Sequence, residues 1–285
     1  MPDRVKEVFQ AKGGGNIMKF GCALLDPQDL DAVKGIGYDY AEFMGKYLVS
    51  LSDGEYAALC KKLESLQLKV LGINGYCPPA LKMAGPGFDM GSIKKYAKLC
   101  AGRAEALGAS MVGIGSPQSR NLPKGYPRMT ARRQLQEFLE ITAEEFAVFD
   151  IEICLEPLAP CFCNFINFMP EAVSIIDEMK QNKTGIIADF YNMEYVGEAD
   201  LDMKDFMPYI SHVHISDDDG GPDKRSYLKP ERARVHQERI QNLIKAGYQG
   251  AVSLEIDCRI DPDRAAESLA IMRAADLEER ERICI

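Results

Sequence analysis

The amino-acid sequence predicts an α/β protein of the (β/α)₈ TIM-barrel class, folded as a single domain. Eight short apolar segments bounded by turn residues alternate with eight longer segments of helical period, a pattern typical of a parallel α/β fold. Such a barrel needs about 250 residues, and residues 18–285 supply them. A doubly wound open sheet is the alternative, but it usually carries a glycine-rich phosphate loop after its first strand. Residues 24–30 contain no glycine, so we predict the barrel.

Each predicted strand is a short apolar run, and each predicted helix follows a strand. The strands are Lys19–Ala23, Tyr40–Met44, Lys69–Asn74, Ser110–Ser116, Ile151–Pro157, Thr184–Phe190, Ile210–Ser216 and Ala251–Ile256. The helices are Pro27–Gly35, Ser52–Leu66, Asp89–Leu107, Thr130–Phe149, Met169–Gln181, Asp202–Met207, Glu231–Ala246 and Asp261–Leu277. Ser52 and Glu55 form an S-x-x-E capping box, and Gly108 and Gly247 stand where glycine commonly ends a helix.

Composition and charge argue against nucleic-acid-binding and membrane-spanning functions. The net charge of −9 argues against a nucleic-acid-binding surface, which needs a concentrated basic stripe. No apolar run approaches the roughly 18–20 residues of a membrane span. The nine cysteines are scattered, mostly inside apolar segments, which indicates reduced thiols in a cytoplasmic protein. We therefore expect a protein that binds neither nucleic acid nor membrane.

The first 17 residues form a separable N-terminal extension. Met18 opens the first strand, M-K-F-G-C-A, and residues 11–16 read A-K-G-G-G-N. A glycine run shortly before a methionine is consistent with a translated ribosome-binding sequence, so we expect Met18 to be the natural start and residues 1–17 to be non-native or disordered. A short helical extension is the alternative.

Four metal-binding residue types stand near the carboxyl ends of the last four predicted strands: Glu156, Asp189, His214 and Glu255. Strand side chains alternate between faces, and in each of these strands the opposite parity is uniformly apolar. That apolar parity must pack under helices, so the four polar residues face the barrel interior, at the end where barrel active sites lie. Carboxylates clustered this closely would repel one another without a cation.

The residue types of the four predicted ligands indicate which metal ions they would bind. Three carboxylates and one imidazole are oxygen-rich and contain no sulfur, which suits Mn²⁺, Mg²⁺, Co²⁺ or Zn²⁺. An all-thiolate structural zinc site is excluded.

The sequence around these residues resembles the xylose-isomerase-like sugar phosphate isomerase/epimerase superfamily. The similar segments are L-E-P-L, A-D-F-Y-N-M, S-H-V-H-I-S-D and A-G-Y-Q-G-A-V-S-L-E, with G-I-G-Y-D-Y-A-E-F and L-K-V-L-G-I-N at the second and third strands. The superfamily includes ketose 3-epimerases, hydroxypyruvate isomerase, inosose dehydratase and endonuclease IV. The resemblance covers residues 18–272. It implies that residues 18–285 form a xylose-isomerase-like barrel whose four ligands bind one divalent ion, usually manganese.

The resemblance also implies a mechanism. In the epimerases and isomerases, two glutamates on opposite sides of the substrate move a proton next to a carbonyl that the metal polarises. Glu156 and Glu255 are the corresponding catalytic residues, while Asp189 and His214 mainly hold the metal. His212 lies deeper on the same strand face, and we expect it behind the ligands or in the core, near the substrate site, and not as a fifth ligand.

Three positions depart from the ketose 3-epimerase pattern. Asn192 replaces a histidine, Phe162 replaces a glutamate, and Gly220 replaces an arginine. We expect Asn192 and Phe162 to contact a substrate other than an ordinary ketohexose or hydroxypyruvate. The apolar Phe162 suggests an aromatic or modified sugar.

The loop of residues 216–230 follows the metal histidine and is the expected specificity element. Lys224 and Arg225 are candidates to bind a carboxylate or phosphate, the alternative being a solvated flexible loop. His236 is expected on the surface, and Tyr76 and Cys77 are candidates to line the pocket.

The function predicted from these observations is a divalent-metal-dependent sugar isomerase or epimerase, a cytoplasmic homo-oligomer with a small carbohydrate substrate. A sugar or inosose dehydratase or lyase on the same metal centre is the alternative, followed by a non-catalytic sugar-binding barrel. The nuclease is disfavoured because it holds three zinc ions with extra histidines, and this chain has three histidines in total.

Overall fold

A computed structural model describes residues 18–24, 27–179 and 183–283 of the chain, with side chains up to residue 278. The predictions on residues 1–17 and on the end of the helix Met169–Gln181 lie outside the described residues. Within the described part, a closed barrel is formed by eight parallel strands in the order β1-β10-β7-β6-β5-β4-β3-β2. Those strands are β1 Lys19–Ala23, β2 Tyr40–Met44, β3 Lys69–Asn74, β4 Met111–Ile114, β5 Glu152–Leu155, β6 Thr184–Asp189, β7 Ile210–Ile215 and β10 Ala251–Glu255. The predicted (β/α)₈ barrel is confirmed.

A two-residue antiparallel ladder lies in the loop after β7. It pairs β8, Asp217–Asp218, with β9, Arg225–Ser226. We call residues 217–226 the hairpin. The sequence predicted no strand here, because two residues are too few to show an alternating pattern.

Helices surround the barrel and also cover its carboxyl end. They are α1 Leu30–Ile36, α2 Gly45–Ser50, α3 Asp53–Leu66, α4 Met90–Ala106, α5 Pro117–Arg120, α6 Arg128–Ala147, α7 Met169–Glu178, α8 Phe190–Tyr195, α9 Ala233–Lys245 and α10 Pro262–Ile283. The capping box of Ser52 and Glu55 is present at α3. Gly108 and Gly247, with φ of 80° and 95°, adopt the left-handed conformation just past α4 and α9, as glycine does most readily.

The helix predicted at Asp202–Met207 is wrong. Only a 3₁₀ turn, Met203–Asp205, falls in that range, and the connection from β6 begins instead with α8. The Asp189 carboxylate accepts a hydrogen bond from the Tyr191 N–H, 3.0 Å away, and so caps α8 where β6 ends. A helix of six residues spans fewer than two turns, which leaves no apolar period to detect. The short helices α2 and α5 were missed for the same reason.

The alternation of side chains along the strands agrees with the prediction. Ile153, Leu155, Val213 and Ile215 belong to the buried core that packs under the helices. On the opposite parity, a small apolar cluster of Met111, Cys154 and Ile187 fills the barrel interior. Polar residues lie above this apolar cluster, toward the carboxyl ends of the strands. In the described residues no helix combines the length and apolarity needed to cross a membrane.

Candidate metal centre

The structure brings the four predicted ligands together. Each of Glu156, Asp189, His214 and Glu255 offers one ligand atom, and these atoms all lie within 4.8 Å of one another. His214 Nδ1 is 3.2 Å from Glu255 Oε2 and 3.9 Å from Glu156 Oε1. The residues come from β6, β7, β10 and the turn after β5, so neighbouring strand ends deliver them to one point.

Burial makes this cluster electrostatically costly. Asp189 is 2% exposed and His214 is fully buried, while the Glu255 side chain retains 20% exposure. Three carboxylates held this closely in a buried site need positive charge nearby.

Arg225 of β9 supplies part of that charge. Its guanidinium contacts Asp189 and Glu255 and lies over the Tyr191 ring, 4.5 Å from the ring centre. Burial alone would raise the pKa of Asp189, but Arg225 and His214 hold that pKa below its usual value. Arg225 permanently compensates one of the three negative charges, and a divalent cation would balance the other two.

Unused hydrogen-bonding atoms point to the same conclusion. His214 Nδ1 is buried and makes no hydrogen bond, and Glu255 Oε2 makes none either, its contacts being the charge contacts with His214 Nδ1, 3.2 Å away, and with Arg225. A buried polar group left without a partner costs about 1–3 kcal/mol. Both atoms face the centre of the cluster, and a nitrogen among carboxylate oxygens is a donor set that fits Mn²⁺, Mg²⁺, Co²⁺ or Zn²⁺. The residues present therefore fit a divalent cation.

Glu42 of β2 orients His214 from the layer beneath the ligands, and it is not among the residues predicted from the sequence. His214 Nε2 donates to Glu42 Oε2 at 3.1 Å, so the imidazole presents Nδ1 to the ligand cluster. A carboxylate behind a ligating histidine fixes the ring and its tautomer in metal sites. Burial would raise the pKa of Glu42, but His212 and His214 bring it well below its usual value. The parity argument used for the last four strands would have found Glu42 in Y-A-E-F.

His212 lies in the layer beneath the ligands. Its Nε2 is 2.6 Å from Glu42 Oε1 and 3.3 Å from Ser253 Oγ, and it is not among the residues that line the cavity described below. His212 therefore lies behind the ligands, as expected, and no contact in the structure supports its assignment to the substrate site. Glu42, His212 and His214 also form a group of potential ligands, but both histidines already bond to the Glu42 carboxylate.

A cavity of about 240 Å³, the main cavity, opens above the ligands. Phe162 and Asn192 line it, as do Cys77 and Arg225. Asn192 Oδ1 accepts from the Ala159 N–H at 2.9 Å, and Nδ2 donates to Asp189 Oδ2 and, at 3.4 Å, to Glu156 Oε1. Asn192 thus hydrogen-bonds two of the predicted ligands at the cavity wall.

Phe162 belongs to an aromatic group at one side of the main cavity. Its ring lies 6.2 Å from that of Tyr191 in a stacked arrangement and 6.5 Å from that of Tyr195 in an edge arrangement. The structure thus places an apolar wall where the sequence suggested one. Tyr76, by contrast, packs in the core against Tyr96 and Phe138 and does not line the main cavity.

The hairpin is ordered, contrary to the alternative of a solvated flexible loop. Asp217 is buried and accepts from the Lys229 N–H at 2.7 Å and from Arg232 Nη1 at 2.6 Å. His236 is fully buried, with Nε2 2.8 Å from Asp217 Oδ2. The prediction that His236 is a surface residue is wrong, because the hairpin covers the start of α9. Gly220 turns the hairpin with φ of 95°.

The turn after β4 fits closely around Glu156. A Cβ added at Gly115 would overlap Glu156 Oε2, so only glycine leaves that oxygen in place. Ser116 has a left-handed φ of 46°, unusual for a residue other than glycine, and its Oγ accepts from the Cys77 N–H at 2.8 Å. The fully buried Arg120 donates to the Glu156 carbonyl at 2.8 Å. These contacts fix both the backbone and the carboxylate of Glu156.

Comparison with known proteins identifies the family. A model of the xylose isomerase-like TIM barrel family matches residues 30–275. The chain belongs to this family. Among solved structures of xylose isomerase-like proteins, E. coli 3-keto-D-glucoside 4-epimerase is similar, with 21% identity, a TM-score of 0.71, and coverage of 90% of this chain and 99% of the epimerase.

Two further structures have the same fold. D-psicose 3-epimerase with D-tagatose from Clostridium cellulolyticum H10 is 16% identical, with a TM-score of 0.68 and coverage of 93% and 99%. A xylose isomerase domain protein from Alicyclobacillus acidocaldarius is 18% identical, with a TM-score of 0.71 and coverage of 91% and 99%. A search of curated protein sequences finds no match. At these identities the likeness extends to the fold.

Proposed function

We propose that the chain is a divalent-metal-dependent isomerase or epimerase that moves a proton at a carbon next to the carbonyl of a sugar. The observation that carries the proposal is the Nδ1 of His214, which makes no hydrogen bond and lies among three buried carboxylates below an open cavity. The names of similar structures, a 3-keto-D-glucoside 4-epimerase and a D-psicose 3-epimerase, support proton-transfer chemistry on a sugar carbonyl compound.

Glu156, Asp189, His214 and Glu255 would hold the ion, for which we propose Mn²⁺. A divalent cation bound there would polarise the substrate carbonyl and stabilise the enolate that deprotonation produces. Asp189 and His214 are deeply buried, and we assign them to holding the ion alone.

Glu156 and Glu255 are the proposed proton carriers, because both line the main cavity. β6 and β7 separate their strands in the barrel, so the two carboxylates reach the cavity from different sides. One carboxylate takes the proton and the other returns it. Two carriers on two sides of a planar enolate are what inversion at a carbon requires.

Asn192 and Arg225 would orient the substrate. Asn192 holds Glu156 and Asp189 through its amide, and Arg225 keeps a permanent positive charge beside Glu255. Both line the main cavity and are placed to hydrogen-bond substrate oxygens. The cysteines of the described residues are free thiols, which supports the proposed cytoplasmic location. Homo-oligomer formation stays a prediction.

The direct test is proton exchange measured by NMR in D₂O. The protein is incubated with Mn²⁺ and a panel of keto sugars, and we expect deuterium at the carbon next to the carbonyl, together with an epimer or isomer. Removal of the metal by a chelator should abolish exchange, and added Mn²⁺ should restore it. Loss of water or of a substituent would indicate the dehydratase or lyase instead. Absence of exchange across the panel, with metal bound, would contradict the proposal.

A further inference from the structure

A second, smaller cavity adjoins the main one on the side of β1, β2 and β3. It measures about 130 Å³, and we call it the side cavity. Four residues line both cavities, namely Lys46, Gly75, Glu255 and Asp257. The two spaces are therefore neighbours across a shared wall that contains one of the proposed proton carriers.

The side cavity contains a buried amide with unmet hydrogen-bonding capacity. Asn74, the last residue of β3, lines the side cavity and is 6% exposed, and its Oδ1 has no hydrogen-bond partner. Buried polar groups are nearly always paired. Asn192 in the main cavity shows the contrast, since both ends of its amide are engaged. An unpaired amide at a cavity wall points to a ligand.

The rest of that wall is mixed in character. Apolar surface comes from Ala23, Leu24, Met44 and Ile256, and the shared residues Lys46, Glu255 and Asp257 add charged groups on the side of the main cavity. Apolar walls with a few convergent polar groups are the usual composition of a small-molecule site. A group with an apolar face and one hydroxyl or similar hydrogen-bonding function would match this side cavity.

The volumes of the two cavities bear on whether a substrate would occupy one of them or both. Small-molecule sites commonly measure about 300–1,000 Å³. The main cavity, at about 240 Å³, lies below that range, and the side cavity provides about 130 Å³ beside it. Glu255 lines both spaces, so a molecule that reacts at Glu255 lies next to the side cavity as well.

We infer that the side cavity is a second binding compartment, and that the substrate is a glycoside, a keto sugar carrying a substituent. The inference rests on the proposed function. The sugar ring occupies the main cavity above the ligand cluster, and the substituent enters the side cavity, where it forms a hydrogen bond with Asn74 and covers the apolar wall.

The test compares three probes with Mn²⁺ present: 3-keto-D-glucose, its methyl β-glycoside and its 4-hydroxyphenyl β-glycoside. For each, kcat/KM for deuterium exchange is measured by NMR, and binding by calorimetry. We expect the 4-hydroxyphenyl glycoside to exceed the free sugar at least tenfold in kcat/KM. Asn74→Leu should reduce that ratio at least fivefold and weaken binding of this glycoside to a similar extent. Asn74→Ala is the second variant should the leucine disturb folding, and circular dichroism checks both.

Asn242→Leu is the matched control, because Asn242 is exposed on α9 and should leave the ratio unchanged. Equal kcat/KM for the three probes, with exchange intact, would overturn the second compartment but not the proposed function. Absence of exchange with all probes would overturn the proposed function. The compartment is then judged by calorimetry, where binding of the 4-hydroxyphenyl glycoside that both Asn74 variants weaken supports it. Undetectable binding, or binding that neither variant changes, overturns it.

Discussion

Two layers of polar side chains lie one above the other inside the barrel. In the lower layer the side chains hydrogen-bond to one another, whereas the upper layer contains polar atoms that make no hydrogen bond. The lower layer, Tyr40, Glu42, His212 and Ser253, is fully buried. Its members bond to one another, with Tyr40 Oη 2.7 Å from Ser253 Oγ and His212 Nε2 2.6 Å from Glu42. The upper layer is the ligand cluster. It borders the main cavity, and His214 Nδ1 makes no hydrogen bond in it. Buried polar residues alone do not indicate a ligand, whereas an unbonded polar atom beside an open cavity supports one.

His214 joins the layers. One ring nitrogen is bonded to Glu42 of the lower layer, and the other faces the upper layer. The lower layer therefore orients a ligand without touching the cavity, and the two layers should respond differently to substitution.

The largest effect is expected in the upper layer, from Glu156→Gln and Glu255→Gln. Each variant loses a proton carrier, and positioned acid–base groups contribute about 10²–10⁴-fold to rate. We expect kcat for deuterium exchange to fall by that factor while the fold is kept. Glu178→Gln is the control, since Glu178 lies on α7 and bonds Arg132 at the surface. Exchange at the normal rate in both cavity variants would remove these carboxylates from the mechanism.

Gly115→Ala should come next. The added methyl group must displace the Glu156 carboxylate, and a misplacement of about 1 Å can cost roughly 10²-fold in rate. We expect kcat to drop by about that factor, with the unfolding midpoint little changed. Gly102→Ala provides the comparison, because a Cβ at Gly102 in α4 meets no atom within 4 Å. Equal rates for these two alanine variants would show that the turn after β4 does not position Glu156.

Glu42→Gln tests the lower layer as a support for the metal. Replacing a carboxylate behind a ligating histidine typically costs about 10–100-fold in metal affinity. We expect a decrease of that size in Mn²⁺ affinity by calorimetry, with binding stoichiometry retained. Unchanged affinity would mean that the lower layer only fills the barrel.

The smallest effect should come from Ser253→Ala, also in the lower layer. The change removes a hydroxyl that donates to Glu42 and pairs with Tyr40. Loss of a buried hydrogen-bond partner costs about 1–3 kcal/mol of unfolding free energy, measurable by urea denaturation. We expect Mn²⁺ affinity to change less than it does in Glu42→Gln, and a larger change would place Ser253 among the groups that orient His214.

The upper layer was largely predictable from sequence, because it depends on local pattern. Strand parity placed Asp189, His214 and Glu255 on the interior face, and strand order in a parallel barrel then made them neighbours. The barrel followed from the alternation of apolar runs with helical segments, and the bounds of β1, β2 and β3 agree with the prediction.

The features that sequence missed depend on tertiary contacts. Arg225 was a candidate to bind an anion, but its contact with Asp189 and Glu255 depends on the pairing of β8 with β9 in one register, which no local signal fixes. His236 is buried because the hairpin places Asp217 against it. Asn74 could not be singled out from sequence, because only the structure shows that its buried Oδ1 makes no hydrogen bond.

The most direct test of the central claim is the number of Mn²⁺ ions bound per chain, measured by equilibrium dialysis. We predict one ion for the natural sequence and for Asp205→Asn, where the exposed Asp205 follows α8 in a 3₁₀ turn. Asp189→Asn, a matched change within the ligand cluster, should lose that ion while the fold is retained. One ion still bound by a folded Asp189→Asn, or none bound by the natural sequence in excess Mn²⁺, would contradict the account.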